Sequence, residues 1–214
     1  MGRELKKALY FKEELANAFT HGIGVVLCLV GVPLLLALGA QQGNGYEVLG
    51  LSIFGFSLLL VYLISTIYHS ITGPQWKHKL RIADHISIYF LIAGTHTPLL
   101  IYFLNNSIGY FYLILLWTLV AIGIAYKLFF FGKLKLLSVL FYLCLGWMAV
   151  FTIPPMLDQM PPYCLHWIII GGIFYTLGVI FYLWETLPYH HAIWHVFVLG
   201  GSFGHYMAML QVVW

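Results

Sequence analysis

The sequence VLGLSIFGFSLLLVYLISTIY fills residues 48–68 and contains no charged side chain. About 20 consecutive apolar residues suffice for a helix to cross the hydrocarbon core of a bilayer, so this stretch predicts a membrane-spanning helix. The whole chain agrees with it, because 62% of the 214 residues are hydrophobic and 8% are charged, whereas soluble domains have about 25% charged residues. The composition therefore excludes an ordinary soluble domain and predicts an integral membrane protein.

Seven apolar stretches of this kind are separated by Gly, Pro and Asn residues, which favour turns. They predict one all-helical (all-α) domain over residues 1–214, a bundle of seven transmembrane helices. A cleaved signal peptide is the competing interpretation of the first stretch, although that stretch is longer than the usual apolar core of such a peptide. Residues 4–15 are compatible with a short amphipathic helix before it. The predicted spans are residues 19–38, 48–68, 82–104, 110–131, 136–153, 165–184 and 191–213.

The positive charges predict how the bundle is oriented. All ten Lys and Arg residues lie in the N-terminal segment, the second loop or the fourth loop, and basic loops of this kind stay in the cytoplasm. We therefore expect a cytoplasmic N-terminus, an external Trp214 and a multi-pass protein of the inner (plasma) membrane of the cell. The net charge of +3 is small and is divided among these loops, so no face gathers the basic residues that a nucleic-acid partner requires.

Isolated polar side chains lie near the ends of the predicted spans. His191 and His195 are one helical turn apart and point to the same side, an arrangement by which one helix offers two ligands to a divalent metal. His69 ends the second span, Asp84 opens the third, and Ser65 lies one turn before His69 on the same helix face. The predicted topology puts these side chains near the cytoplasmic face, where we expect His69, Asp84 and the pair in the seventh span to meet in a metal site.

Each of these residues also has a simpler interpretation. A single histidine in a membrane helix is more often hydrogen-bonded to a neighbouring helix than bound to a metal, and Asp84 in a first helical turn could serve as a cap. Glu14, Asn17 and His21 share one helix face, which is either a further wall of the same pocket or the solvated start of a helix. His205 continues the polar stripe of the seventh span without an assigned role. The histidines interpreted as interface or packing residues are His85, His96, His166 and His190.

Five segments carry a family resemblance: EELANAFTHG (residues 13–22), STIYH (65–69), ADH (83–85), AGTHTP (93–98) and PYHHAIWH (188–195). In this order on seven spans, they resemble the bacterial hemolysin III branch of the progestin and adiponectin receptor (PAQR) family, within the CREST superfamily of membrane hydrolases. The resemblance covers nearly the whole chain. Two departures precede the seventh span, where His190 replaces a common asparagine and Glu185-Thr186 replaces a basic pair.

The resemblance implies a zinc ion (Zn²⁺) held by His69, His191 and His195, with Asp84 linked to the metal-bound water and Ser65 close by as catalytic residues. Three neutral nitrogen ligands leave a fourth position of zinc open, which is the pattern of catalytic zinc sites. We therefore expect a zinc-dependent hydrolase whose substrate is an amide or ester of a membrane lipid that enters sideways between the helices.

Two other functions stay open on the sequence. A non-catalytic, zinc-stabilised regulator of membrane lipid homeostasis is favoured if Asp84 binds the zinc directly and closes the site. A cytolytic protein is what the hemolysin name of the family implies. The sequence argues least for cytolysis, because it shows neither a water-lined path nor a segment that converts from a soluble to an inserted form. In every case the expected partner is the lipid of the bilayer.

Overall fold

The computed structural model describes residues 3–41, 44–133 and 135–214. In these ranges all regular structure is helical, and seven segments are long and apolar enough to cross a membrane. The prediction of an all-helical bundle with seven spans is therefore confirmed. The helices are α1 (Arg3–Gln41), α2 (Gly45–Ser70), α3 (Pro74–Phe103), α4 (Ser107–Phe130), α5 (Lys135–Gly146), α6 (Ala149–Thr152), α7 (Pro162–Leu183) and α8 (His190–Val213), with a 3-10 turn at Pro154–Met156.

The first span starts differently from the prediction. α1 is one continuous helix, so residues 4–15 form its first turns and not a separate amphipathic helix. The reason is local, because no Gly or Pro occurs inside α1 before Gly22 and nothing interrupts the helical hydrogen bonds. As a result, Glu14, Asn17 and His21 lie along one face of the same rigid helix that crosses the bundle.

α3 begins earlier than predicted, and this changes the interpretation of Asp84. Pro74 is the first residue of α3, where its fixed φ suits a helix start and its missing N–H leaves no donor unpaired. The span predicted from residue 82 therefore begins about two turns earlier. Asp84 lies well inside the helix and is only 7% exposed. The interpretation of Asp84 as a cap in a first helical turn is wrong.

The fifth span consists of two helices instead of one. α5 ends at Gly146 and α6 begins at Ala149, and together they cover the segment Lys135–Thr152. Glycine weakens a helix, and the prolines that follow α6 provide no N–H groups for a further helical turn. The predicted span over residues 136–153 is therefore present, but it is interrupted.

One side of the bundle is closed by helix contacts at glycines. A Cβ on Gly204 of α8 would lie 2.9 Å from backbone atoms of Gly171 in α7, and a Cβ on Gly55 of α2 would lie 2.4 Å from Val32 of α1. α8 also packs against α1. Small residues of this kind let membrane helices approach closely. The four helices α1, α2, α7 and α8 are called the closed side below.

The opposite side is formed by α4, α5 and α6 and is called the open side. A cavity of about 450 Å³ lies between the open side, α3 and the closed side. Large apolar side chains, among them Phe129 and Phe151, are exposed on the outer surface. A soluble protein rarely exposes so much apolar surface, which agrees with helices that face lipid.

Candidate metal centre

Three histidines that the sequence singled out lie side by side at one end of the bundle. His69 occupies the last turn of α2, while His191 and His195 occupy the first two turns of α8. The ring centroids of His191 and His195 are 4.6 Å apart, and His69 lies 5.1 and 5.2 Å from them. Each ring has one nitrogen that lies within 4.8 Å of one nitrogen in each of the other two rings, so the group could hold a metal ion. These residues are called the histidine trio below.

The hydrogen bonds of the histidine trio leave nitrogen atoms free for a metal. The Nδ1 atom of His69 lies 3.2 Å from Glu14 Oε1, and that of His195 lies 3.2 Å from the Asn17 carbonyl oxygen. A carboxylate and a carbonyl only accept, so both Nδ1 atoms carry the proton and both Nε2 atoms keep a lone pair. The Nε2 atoms of all three rings are buried without a hydrogen-bond partner among the described residues. Buried polar atoms rarely lack a partner, and three of them on rings that lie this close together fit a metal ion.

α1 provides the groups that orient the histidine trio. Glu14 accepts a hydrogen bond from Lys77 of α3 as well as from His69, and Asn17 is 4% exposed. The alternative of a solvated helix start is therefore wrong for this face of α1, because it forms a wall of the site. A carboxylate or carbonyl behind a ligating histidine fixes the orientation of the ring and raises its basicity.

His21 belongs to this wall but not to the histidine trio. Its ring stacks on His195 with 3.4 Å between the centroids, and it also lines the cavity. Neither of its ring nitrogens has a hydrogen-bond partner in the part of the chain that the structure describes. The sequence left its role open, and the structure places it between the candidate metal site and the cavity.

The start of α8 is held by two neighbouring helices. Tyr189, which precedes α8, has a left-handed backbone with φ of 57°, a conformation that is uncommon for a residue other than glycine. Its N–H donates to Glu13 Oε1 of α1 over 3.1 Å, and His190 Nδ1 lies 3.0 Å from the Phe181 carbonyl oxygen of α7. His190 therefore packs at a helix contact, as predicted. These contacts fix the direction in which the first turns of α8 face.

Asp84 and Ser65 lie beside the histidine trio and outside it. Ser65 is fully buried one turn before His69, and its hydroxyl has no hydrogen-bond partner among the described residues, although the Asp84 carboxyl lies close enough to interact with both Ser65 and His69. The Asp84 carboxylate is not among the atoms that lie within 4.8 Å of one another in the trio. The structure thus brings together all five residues that the sequence proposed, with the carboxylate set slightly apart from the ligating nitrogens.

The cavity reaches this group at Asp84 and extends between the helices, while the three histidines of the trio are not among its lining residues. Other polar residues of its wall include His21, Tyr182, His96 and His205. The Nδ1 atoms of His96 and His205 lie 2.9 and 2.8 Å from carbonyl oxygens one turn earlier in their own helices. Most of the remaining wall is apolar. The cavity can therefore accept a hydrocarbon chain beside the candidate metal site.

Two lysines near the site were interpreted from the sequence only as topology signals. Lys77 bonds to Glu14 and donates to the Tyr68 carbonyl oxygen over 2.9 Å. Lys127 of α4 is 5% exposed. A pairing between distant helices leaves no signal in a single sequence. Lys127, however, falls inside the predicted span 110–131, and a lysine inside a membrane span is a signal that could have found it.

Comparisons with known proteins cover nearly the whole chain. The family model described as "Haemolysin-III related" matches residues 9–206. The chain is 43% identical over 199 residues to the "Hemolysin-3 homolog" of Bacillus subtilis (strain 168), which is 93% of each chain. It is 42% identical over 193 residues to "Hemolysin-3" of Bacillus cereus, covering 90% of this chain and 88% of that one. It is 28% identical over 211 residues to the human "Monocyte to macrophage differentiation factor", covering 94% of this chain and 85% of that one. No solved structure matches the chain.

Proposed function

For this chain, which belongs to the haemolysin-III-related family, we propose the function of a zinc-dependent hydrolase that cleaves a lipid amide or ester within the plasma (inner) membrane. The single observation that carries the proposal is the close grouping of three histidines whose buried Nε2 atoms have no hydrogen-bond partner among the described residues, near Asp84, which lines an apolar cavity. The hemolysin III branch of the PAQR family, identified from the sequence motifs, is supported by these relatives.

His69, His191 and His195 would hold the zinc ion. Neutral imidazole nitrogens suit zinc, and three of them without a fourth protein ligand are typical of a catalytic site. A zinc ion bound in this way supplies Lewis acidity and lowers the pKa of a water molecule. Glu14 and the Asn17 carbonyl keep the Nδ1–H groups of two of the rings occupied, which holds Nε2 toward the metal position.

Asp84 would take the proton from the attacking water. Its carboxylate lies outside the group of mutually close nitrogens, which supports a water molecule between Asp84 and the metal position over direct ligation. Ser65, buried beside Asp84, would donate a hydrogen bond to the oxygen that becomes negative as the carbonyl is attacked, or hold Asp84 in place.

The substrate would place its acyl chain in the cavity. The volume of about 450 Å³ lies within the range of about 300–1,000 Å³ that is usual for small-molecule sites. The apolar walls favour a hydrocarbon chain, and the polar end at Asp84 and His21 favours the amide or ester group. A lipid could reach this cavity from the bilayer without crossing water.

A second candidate is a non-catalytic regulator of membrane lipid homeostasis that zinc stabilises. The observation that favours it is the position of the histidine trio, which would join α2 to α8 and, through Glu14 and Asn17, to α1. A metal there would hold three helices together even without turnover. The name Hemolysin-3 of the Bacillus cereus relative points to cytolysis as a third function, which no feature of the site favours.

The test combines zinc analysis with lipid hydrolysis. We expect about one zinc ion per chain in the purified wild type and little in His191→Ala, because the variant loses one of three ligands. His166→Ala is the matched control, since His166 is an exposed histidine of α7 that should leave zinc binding unchanged. The readout of activity is fatty acid released from vesicles that contain an N-acyl lipid or an ester lipid.

Asp84→Asn separates the two candidates. The hydrolase predicts that this variant keeps zinc but releases fatty acid at least about 100-fold more slowly, the usual size of losing a general base. A wild type that holds zinc and releases no fatty acid from either lipid would instead favour the regulator. A wild type without zinc would reject both.

A further inference from the structure

Two cations and two histidines surround one aromatic ring where α3, α4 and α5 meet. His78, Arg81 and His85 project from one face of α3, and Lys127 projects from α4. The Arg81 guanidinium lies 4.9 Å and the Lys127 Nζ atom 5.7 Å from the centroid of the Phe131 ring. The His78 and His85 rings meet the same ring edge to face, at 5.9 and 5.3 Å. These four residues and Phe131 are called the Phe131 cluster.

Lys127 is buried and has no acidic partner. The described residues form three ion pairs, all with other basic side chains: His69 and Lys77 with Glu14, and Lys135 with Glu185. All seven acidic residues of the chain lie within the described ranges, so no unseen carboxylate can complete the cluster. Asp84 follows Ala83 on α3 but turns toward Ser65 and His69.

The usual explanation of a lysine at a membrane interface does not fit Lys127. A lysine that snorkels places its ammonium group in water, whereas Lys127 is 5% exposed. Its Nζ atom instead lies between two aromatic rings, 5.7 Å from Phe131 and 5.6 Å from Tyr142. Ring faces compensate only part of the cost of removing a charge from water. A buried cation without a carboxylate therefore calls for an anion from outside the chain.

Among the described residues, no carboxylate of a neighbouring helix pairs with the cluster. The Nδ1 atom of His85 is buried and has no hydrogen-bond partner in the same ranges. Tyr142 of α5 donates its hydroxyl to the His85 carbonyl oxygen over 2.8 Å and also lines the cavity. The cluster thus adjoins the cavity but shares no residue with the histidine trio.

We propose that the Phe131 cluster binds a phosphate-bearing anion, with Lys127 and Arg81 as the principal donors. A guanidinium binds phosphate oxygens in pairs and an ammonium acts as a point charge. The cluster lies at the end of the bundle predicted to face the cytoplasm, where anionic phospholipids concentrate and where basic pockets between helices bind their headgroups. The ligand is the phosphate of such a lipid or soluble phosphate, and its binding does not depend on turnover at the histidine trio.

The experiment measures the melting temperature of the full chain in detergent while a ligand is added. The probes are phosphatidylglycerol, phosphatidylcholine with the same acyl chains, and inorganic phosphate. We expect phosphatidylglycerol to raise the melting temperature, because it binds the folded state. In Lys127→Met, which keeps an unbranched side chain and removes the charge, we expect the concentration for half of the effect to rise about tenfold. Lys79→Gln is the matched control, because it removes an exposed charge of α3 that lies over Trp76 instead.

The outcomes separate the sources of the phosphate. A shift with phosphatidylglycerol alone assigns the site to a lipid, and a shift with inorganic phosphate that Lys127→Met weakens assigns it to the soluble anion. Equal effects of phosphatidylglycerol and phosphatidylcholine together with no effect of inorganic phosphate would overturn the proposal. Equal curves for wild type and Lys127→Met with every probe, or an equal loss in Lys79→Gln, would also overturn it. If Lys127→Met does not fold, Arg81→Gln replaces it, because Arg81 is exposed. A weakening of several-fold is then expected, and an unchanged curve would reject the site.

Discussion

The closed side and the open side of the bundle differ in the partners that their buried polar groups have. On the closed side, His69 and His195 have hydrogen-bond partners on α1, and glycine contacts leave no room for a Cβ between neighbouring helices. On the open side, Lys127 has aromatic neighbours and no carboxylate, and one of these neighbours, Tyr142, lines the cavity. Ligand geometry needs rigid support, whereas entry of a ligand needs space. The chain therefore orients its metal ligands through partners on α1 and leaves the buried lysine of the open side without a carboxylate.

The largest expected change in stability comes from replacing a glycine at a helix contact of the closed side with a larger residue. Gly204→Val should lower the free energy of unfolding by about 3 kcal/mol or more, because the new Cβ would lie 2.9 Å from the backbone of Gly171 and backbone atoms cannot move aside as a side chain can. Thermal and denaturant unfolding in detergent would measure it. Gly172→Val is the control, since a Cβ on Gly172 of α7 meets no atom of the described residues within 4 Å. Equal losses in both variants would mean that the closed side is not tightly packed.

The second effect concerns the support that α1 gives to the metal ligands. Glu14→Ala should weaken zinc binding about 10- to 100-fold, the usual cost of removing a hydrogen-bond partner behind a ligating histidine, because His69 and Lys77 both lose their carboxylate. Competition with a chelator would measure the affinity. Glu4→Ala removes the same charge from the exposed first turn of α1 and should leave the affinity unchanged. Unchanged affinity in Glu14→Ala would show that the trio is oriented without α1.

The same contrast explains which features could be predicted from the sequence. The seven spans follow from length and hydropathy, because the bilayer imposes a fixed thickness on every helix. The juxtaposition of His191 and His195 follows from the helical repeat, and His69 could be added because the topology brought the ends of the spans to one face. Features that are set within a single helix, or by the order of the spans, could therefore be predicted.

Side-chain partners on distant helices were not accessible, except where the topology places both residues at the same end of the bundle, as for His69. Nothing in the residues around Glu14 indicates that it bonds to His69 and Lys77. Pro74 marked a loop in the sequence pattern, while in the structure the same residue starts α3 and moves Asp84 into the helix interior. Lys127 resembled an ordinary topology signal, and its burial results from how α4 packs against α3. A single sequence carries no record of these choices of partner.

The smallest expected changes in the free energy of unfolding come from replacing glycines of the open side. A Cβ on Gly146, the last residue of α5, would meet no atom within 4 Å in the part of the chain that the structure describes. Gly146→Ala should therefore raise the free energy of unfolding by about 0.5–1 kcal/mol through the better helix propensity of alanine. Gly132, between α4 and α5, differs because its φ is +80°, and Gly132→Ala should lower the same free energy by about 1 kcal/mol. Both variants would be measured by thermal unfolding in one detergent. A loss of stability in Gly146→Ala would mean that the break between α5 and α6 requires glycine. The interruption of the fifth span would then be a constrained element, and the open side would not be the less restrained half of the bundle.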